Sequence, residues 1–137
     1  MRTRVRRLAA RRVSFAFETT LASRTFAPWL ADLIEGGYAV HILFVWLPSA
    51  DVAVARVRRR VLAGGHDVPE AVVRRRYARG LFNFFDLYQP LASTWRMYDN
   101  SIGRIPRLIA RGQGRASTVV VNHETWSRLQ RGVHARS

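Results

Sequence analysis

Gly36-Gly-Tyr-Ala-Val-His-Ile-Leu-Phe-Val-Trp-Leu-Pro48-Ser49 decides the fold class. From Tyr38 to Leu47 the run is almost wholly apolar, with His41 the one strongly polar residue. Unbroken apolar runs of strand length suit strands covered by helices on both faces, the environment of a parallel sheet. Upstream, Phe26, Trp29, Leu30, Leu33 and Ile34 fall at i, i+3, i+4, i+7 and i+8, an amphipathic helix opened at Thr25 and stopped by Gly36-Gly37. Downstream, Ser49 is placed to cap a second helix whose inner face is Val54, Val57 and Val61 and whose end is Gly64-Gly65. Strand and helix alternate, which predicts an α/β protein.

The same reading extends outward. Val13-Ser-Phe-Ala-Phe17 alternates apolar residues as a strand does. Asp67-Val-Pro-Glu70 reads as a helix start, with Asp67 as cap, Pro69 in the first turn and Glu70 completing a capping box. The helix it opens carries an apolar stripe of Val73, Tyr77, Leu81, Phe84, Phe85 and Tyr88, with Arg75, Arg76, Arg79 and Asn83 on another face and Pro90 at its end. Trp95 to Tyr98 is a short strand that delivers Asp99, Asn100 and Ser101 at its carboxyl end. Gly112 and Gly114 mark a turn, Ser117 to Val121 is a β-branched strand, and Asn122 caps a last helix bearing Trp126 and Leu129. Four strands and one domain over residues 1–137 are expected.

Composition narrows the chemistry. The chain has 137 residues, 48% of them apolar, so a packed core is affordable in spite of a net charge of +14. All 23 basic residues are arginines and there is no cysteine, so a lysine nucleophile, a thiolate and a disulfide are excluded from this chain. His41, His66, His123 and His134 show no ligand spacing, and no metal site is expected from them. No apolar run is long enough for a membrane span, and the arginine-rich start lacks the apolar core of a secretory signal. A cytoplasmic protein with no membrane partner is the expectation.

Two stretches carry candidate function. In Phe17-Glu-Thr-Thr-Leu21 a strand ends in a carboxylate and two hydroxyls, at the edge where open α/β sheets bind ligands. The competing reading is a helix start capped by Thr19 or Thr20. Between Arg56 and Arg79 eight arginines flank a Gly-Gly-His-Asp turn. They read either as a solvated helical hairpin or as guanidinium groups meeting across the loop on phosphate oxygens. The charge also fits nucleic acid, but the arginines are scattered along the chain and the aromatics fall on core stripes, so nucleic acid is not the expected partner.

Several segments together resemble the zeta toxin-like P-loop kinases: Phe15-Ala-Phe-Glu-Thr-Thr-Leu21, Gly36-Gly-Tyr, Phe44-Val-Trp-Leu-Pro48, Arg56-Val followed by Arg60-Val-Leu-Ala-Gly-Gly-His-Asp-Val-Pro-Glu70, Arg74-Arg-Arg-Tyr77, Asn83-Phe-Phe and Tyr98-Asp-Asn-Ser101. The resemblance covers nearly the whole chain. It implies a three-layer P-loop NTPase-like fold with a parallel sheet, incomplete at the N-terminus, and ATP-dependent phosphorylation of a small molecule such as a UDP-activated amino sugar. It implies ATP and Mg2+ as cofactors and an antitoxin protein as a partner of the toxins proper. By similarity Glu18 and Thr20 hold the acceptor. Residues 49–89 form a helical lid in which Arg60, Arg75 and Arg76 meet phosphate oxygens, while Arg79, Asp99 and Asn100 lie toward the nucleotide.

The chain departs from that family in one respect. The family's opening strand, its Gly-x-x-x-x-Gly-Lys-Ser/Thr loop and the acid that serves as base are missing, and with no lysine anywhere the loop is not present in disguise. The amides that cradle phosphates and the hydroxyl that ligates Mg2+ are lost with it. The expectation is therefore the C-terminal portion of such a kinase, inactive alone, with exposed strand edges and uncovered apolar surface.

Overall fold

A computed structural model describes residues 14–101 and 105–134. In chain order its elements are α1 (Phe26–Glu35), β1 (His41–Trp46), α2 (Ala50–Leu62), α3 (Glu70–Asn83), β2 (Thr94–Asp99), β3 (Arg107–Gln113), β4 (Ser117–Val120) and α4 (His123–His134). Between α3 and β2 the helix continues as a π-helical turn over Phe84–Tyr88 and a 3-10 turn over Gln89–Leu91. Pro90 lies inside that 3-10 turn, one residue before the helical path stops.

The strands form one mixed sheet in the order β1-β2-β3-β4. β1 and β2 run parallel, pairing His41 with Thr94 through Trp46 with Asp99, whereas β2–β3 and β3–β4 are antiparallel. The expected all-parallel sheet is thus reduced to a single parallel pair. Connection length explains the difference: a parallel neighbour needs a crossover, which α2 and α3 provide between β1 and β2. The links after β2 and β3 are too short for one, and the second is the turn through Gly114, whose φ of +50° suits glycine.

The fourth strand is not the one the alternation suggested. Residues 14–17 are not a strand, and Val13 and the arginine-rich start lie outside the described residues. Phe15 and Phe17 instead pack with Phe26, Trp29 and Tyr38, so their alternation serves contact with α1. β3 takes the place in the sheet. Its pattern was hidden by a bulge between Met97 and Tyr98 and by Gly112, where a Cβ would collide with the Ser117 carbonyl oxygen and lie 2.7 Å from the Trp95 ring. Gly112 is therefore a strand residue chosen for a close approach rather than a turn residue.

Two helix starts carry the side-chain caps read from the sequence, whereas α1 opens at Thr25 without a side-chain cap bond. The Ser49 hydroxyl accepts from the Val52 amide at 3.2 Å, and the Asn122 side chain accepts from Thr125 at 3.0 Å. Asp67 does not cap α3, which starts after Pro69 without a side-chain cap; Glu70 turns its carboxylate to Arg74 and Arg58 instead.

The core is assembled around Phe84, Tyr88, Trp95, Met97 and Ile109, all fully buried. Leu30 of α1, Leu81 of α3 and Leu129 of α4 join the cluster from the helices, and Trp46, Met97 and Ala110 from the sheet. Phe84, Phe85, Trp95 and Trp126 meet edge to face or stacked within 6 Å of one another in sequence around it, geometries favoured by the ring quadrupoles. Residues of opposite parity on the strands, among them Leu43, Arg96 and Arg111, are exposed. α1, α3 and α4 thus contribute to a core on one face of the sheet, and α2 packs on α3.

Candidate functional site

Residues 18–24 and α3 are locked together. The Asn83 side chain, 2% exposed, donates to the carbonyl oxygens of Leu21 at 2.8 Å and Ala22 at 3.1 Å, and accepts from Arg24 at 3.3 Å. One turn earlier, a Cβ at Gly80 would collide with the Thr20 carbonyl oxygen, so glycine there admits the segment directly onto the helix backbone. Tyr88 donates to the Ser23 carbonyl oxygen, and Arg24 pairs with Asp86 at 3.0 Å. Local turns complete the segment: Thr19 and Thr20 hydroxyls accept from the amides of Leu21 and Ala22, and Leu21 has φ +57°. The helix start itself lies at Thr25, so neither threonine is its cap.

Glu18 and Thr20 are exposed in this segment. Arg79 is the immediate neighbour of Gly80, and Arg76 precedes it by one helical turn, so the segment ends up beside the arginine-bearing part of α3. Arg75, Arg76 and Arg79 are exposed, and no carboxylate among the described residues pairs with them or with Arg59 and Arg60. Other hairpin arginines are committed. Arg74 bridges Asp51 at 2.6 Å and Glu70 at 3.0 Å, which holds its guanidinium pKa above the usual arginine value, and Arg58 faces Glu70 at 3.7 Å.

These pairs fix the register of the hairpin. With Asp51 opposite Arg74 and Arg58 opposite Glu70, Arg75 and Arg76 lie level with the start of α2, while Arg60 lies near the Gly64-Gly65 turn. At 1.5 Å per residue that offset is about 13 Å along the helix axis. The spacing left two readings open, and this register does not bring the arginines together across the loop. They divide into a pair at the hairpin tip, Arg59 and Arg60, and a group at its base, of which Arg79 adjoins Gly80, where the Thr20 carbonyl oxygen meets the helix, and Arg76 lies one turn away.

Asp99 and Asn100 occupy the carboxyl end of β2, next to that of β1. The Asn100 amide donates to Trp46 at 3.1 Å, Asp99 accepts from the Ser101 amide at 2.8 Å, and Arg56 of α2 donates to the Asn100 carbonyl oxygen. Tyr77 of α3 donates to the Leu47 carbonyl oxygen at 2.6 Å. The hairpin is thereby tied to both parallel strand ends, the position where α/β sheets take ligands. A cleft of about 150 Å3 opens beside it, lined by Trp46, Tyr77, Phe82, Arg128 and Val133, with the Arg128 guanidinium 5.7 Å from the Trp46 ring. Among the described residues no group of three His, Asp or Glu side chains is arranged to hold a metal ion.

Sequence reasoning missed Gly80, Asn83, Arg56 and Tyr77 as the residues that assemble this site. Asn83, expected on the arginine-bearing face, is instead buried; the signals present were a glycine within a helical pattern and an asparagine set between Phe82 and Phe84.

No family model matches the chain, and no solved structure does. Among curated proteins, one from Haemophilus influenzae, described as an uncharacterized protein, is 29% identical over 65 residues, covering 47% of this chain and 46% of the relative. The chain thus matches about half the length of that relative, whose description names no activity.

Proposed function

We propose that this chain supplies the acceptor loop and the arginine-bearing hairpin of a zeta toxin-like kinase, which transfers a phosphoryl group from ATP to a small acceptor such as a UDP-amino sugar. The observation that supports this reading is the seating of Thr20 against Gly80, next to Arg79 and one helical turn from Arg76, neither of which pairs with a carboxylate among the described residues. A carboxylate and a hydroxyl accept and donate hydrogen bonds to sugar hydroxyls, and guanidinium groups without acidic partners stabilise charge on a migrating phosphoryl group. Arg60 at the hairpin tip then needs the hairpin to fold over the nucleotide, as lids do in such transfers. The finer fold, a three-layer P-loop NTPase-like arrangement incomplete at its N-terminus, belongs to the same proposal. So does the place of Asp99 and Asn100 near the nucleotide. An antitoxin as partner follows only from the family resemblance, and a cytoplasmic location is part of the same proposal.

Since no phosphate loop occurs in this sequence, Mg2+ and the phosphates have no residues here corresponding to the family's main ligands. The isolated chain is expected to bind ATP weakly and to turn none over. The test is a titration of the chain with ATP, compared with Arg75→Ala/Arg76→Ala. Saturable binding lost in the double variant supports the kinase reading. Binding that is indifferent to ATP but follows DNA and falls steeply with salt favours the second reading, a basic polyanion-binding protein, which the same unpaired arginines also suit.

A further inference from the structure

We propose that the open face of the sheet is the docking surface for an acidic amphipathic helix of a partner polypeptide. Four large aliphatic residues are exposed together along it: Leu43 at 70%, Val45 at 52%, Val119 at 44% and Val121 at 56%. The register makes them one surface rather than scattered side chains. Leu43 pairs with Arg96, Arg96 with Arg111 and Arg111 with Val119, so a row crosses all four strands with apolar ends and two arginines in the middle. His41 and Thr94 lie on the same face, joined at 2.7 Å, and Val45 stands beside Tyr98.

The arginine pair identifies the occupant. Arg96 and Arg111 are direct cross-strand neighbours, an arrangement of like charges that weakens a sheet, and no carboxylate among the described residues pairs with either. A carboxylate from outside, received by both guanidinium groups, removes the repulsion and gains charge-assisted hydrogen bonds. Leu43 and Val45 on one side and Val119 and Val121 on the other then receive apolar residues that flank the acid. With strands about 4.8 Å apart, the row from β1 to β4 spans about 14 Å, close to the diameter of one helix with its side chains.

Other occupants fit less well. A second copy brings its own Arg96 and Arg111 against this pair, on a chain that already carries +14. Residues 1–13 hold six arginines and no acid, so the same repulsion applies to them. Single-stranded nucleic acid stacks on exposed aromatic rings, whereas the exposed large side chains of this face are aliphatic.

The experiment uses the full chain and two synthetic amphipathic helical peptides built from leucine, alanine and glutamate, identical except that one has glutamine for glutamate. Fluorescence anisotropy is expected to show the glutamate peptide binding at least about tenfold more tightly. Arg96→Ala/Arg111→Ala is expected to erase that preference, and Leu43→Asp/Val45→Asp to abolish binding of both peptides, while Arg131→Ala on α4 changes neither. Unaltered circular dichroism and a cooperative urea transition establish that each variant is folded, and a variant that fails this check is replaced by Arg96→Gln/Arg111→Gln or Leu43→Ser. Equal affinity for the two peptides, or no binding at about 1 mM, overturns the proposal. So does a dimer that Leu43→Ser dissociates, which assigns the face to a second copy, or a poly(dT) oligonucleotide that displaces the peptide in a manner dependent on Arg96 and Arg111.

Discussion

Replacing Asn83 by alanine tests how the candidate site is held. The side chain is 2% exposed and donates to two carbonyl oxygens, of which that of Leu21 lies in the core and that of Ala22 nearer to solvent. A buried acceptor that loses its donor costs about 1–3 kcal/mol, and the second, which regains water, contributes about 0.5 kcal/mol. Asn83→Ala is therefore expected to lower stability by about 1.5–3.5 kcal/mol, or Tm by about 5–12 °C for a chain of this size. The loss is also local, because the 18–24 segment is released from α3. Two assays follow: urea unfolding by circular dichroism, and limited trypsin digestion, in which cleavage after Arg24 accelerates in the variant. Asn83→Asp keeps the volume but sets a carboxylate against two carbonyl oxygens, and is expected to be at least as damaging at neutral pH. A loss below about 0.5 kcal/mol with unchanged cleavage after Arg24 refutes the account, since that is the size of an ordinary surface substitution.

Other expectations are as direct. Gly80→Ala and Gly112→Ala both push a methyl group into a backbone carbonyl oxygen, and overpacking of this kind costs about 1–3 kcal/mol. Helix propensity returns about 1 kcal/mol at Gly80, so unfolding midpoints should fall further for Gly112→Ala, where the Trp95 ring also stands in the way. Ser49→Ala removes the cap of α2 and should lower stability by about 1 kcal/mol in the same urea experiment. Burial raises the Tyr88 pKa above its usual value of 10.0, so folding favours the neutral phenol; this stability is fully present below pH 10 and is lost as pH rises beyond it. Urea midpoints measured from pH 8 to 11 should fall in the native chain more steeply than in Tyr88→Phe, and parallel curves would dismiss the argument.

The helices were the most legible part of the fold. Phe26 to Ile34 and Val73 to Tyr88 carry a period that survives into the structure because Leu30, Leu81, Phe84 and Tyr88 pack in the core, and the period from Val54 to Val61 survives because α2 packs on α3. The strands at His41–Trp46 and Trp95 were legible as strands, but the apolar run misled about its cover: only one face is packed in the core, and Leu43 and Val45 stand exposed where helices on both faces were expected. Phe15 and Phe17 misled because alternation reports only which side is buried, and an aromatic cluster on α1 buries a side as well as a sheet does. β3 was hidden because a bulge and a glycine interrupt the very period by which strands are recognised. For the candidate site, Glu18, Thr20 and the arginines were visible as residue types, but their grouping was not.

Sequence alone determined the helical segments, the absence of lysine and cysteine chemistry and the excess of positive charge, all of which depend on identity and local spacing. Tertiary structure decided the rest: which strands run parallel, that Asn83 and Gly80 bring residues 18–24 onto α3, that Arg60 is parted from Arg75 and Arg76, and that Arg96 meets Arg111. Those relations join residues from 15 to more than 60 positions apart, and such pairings are fixed by packing and hydrogen-bond geometry that no local pattern encodes.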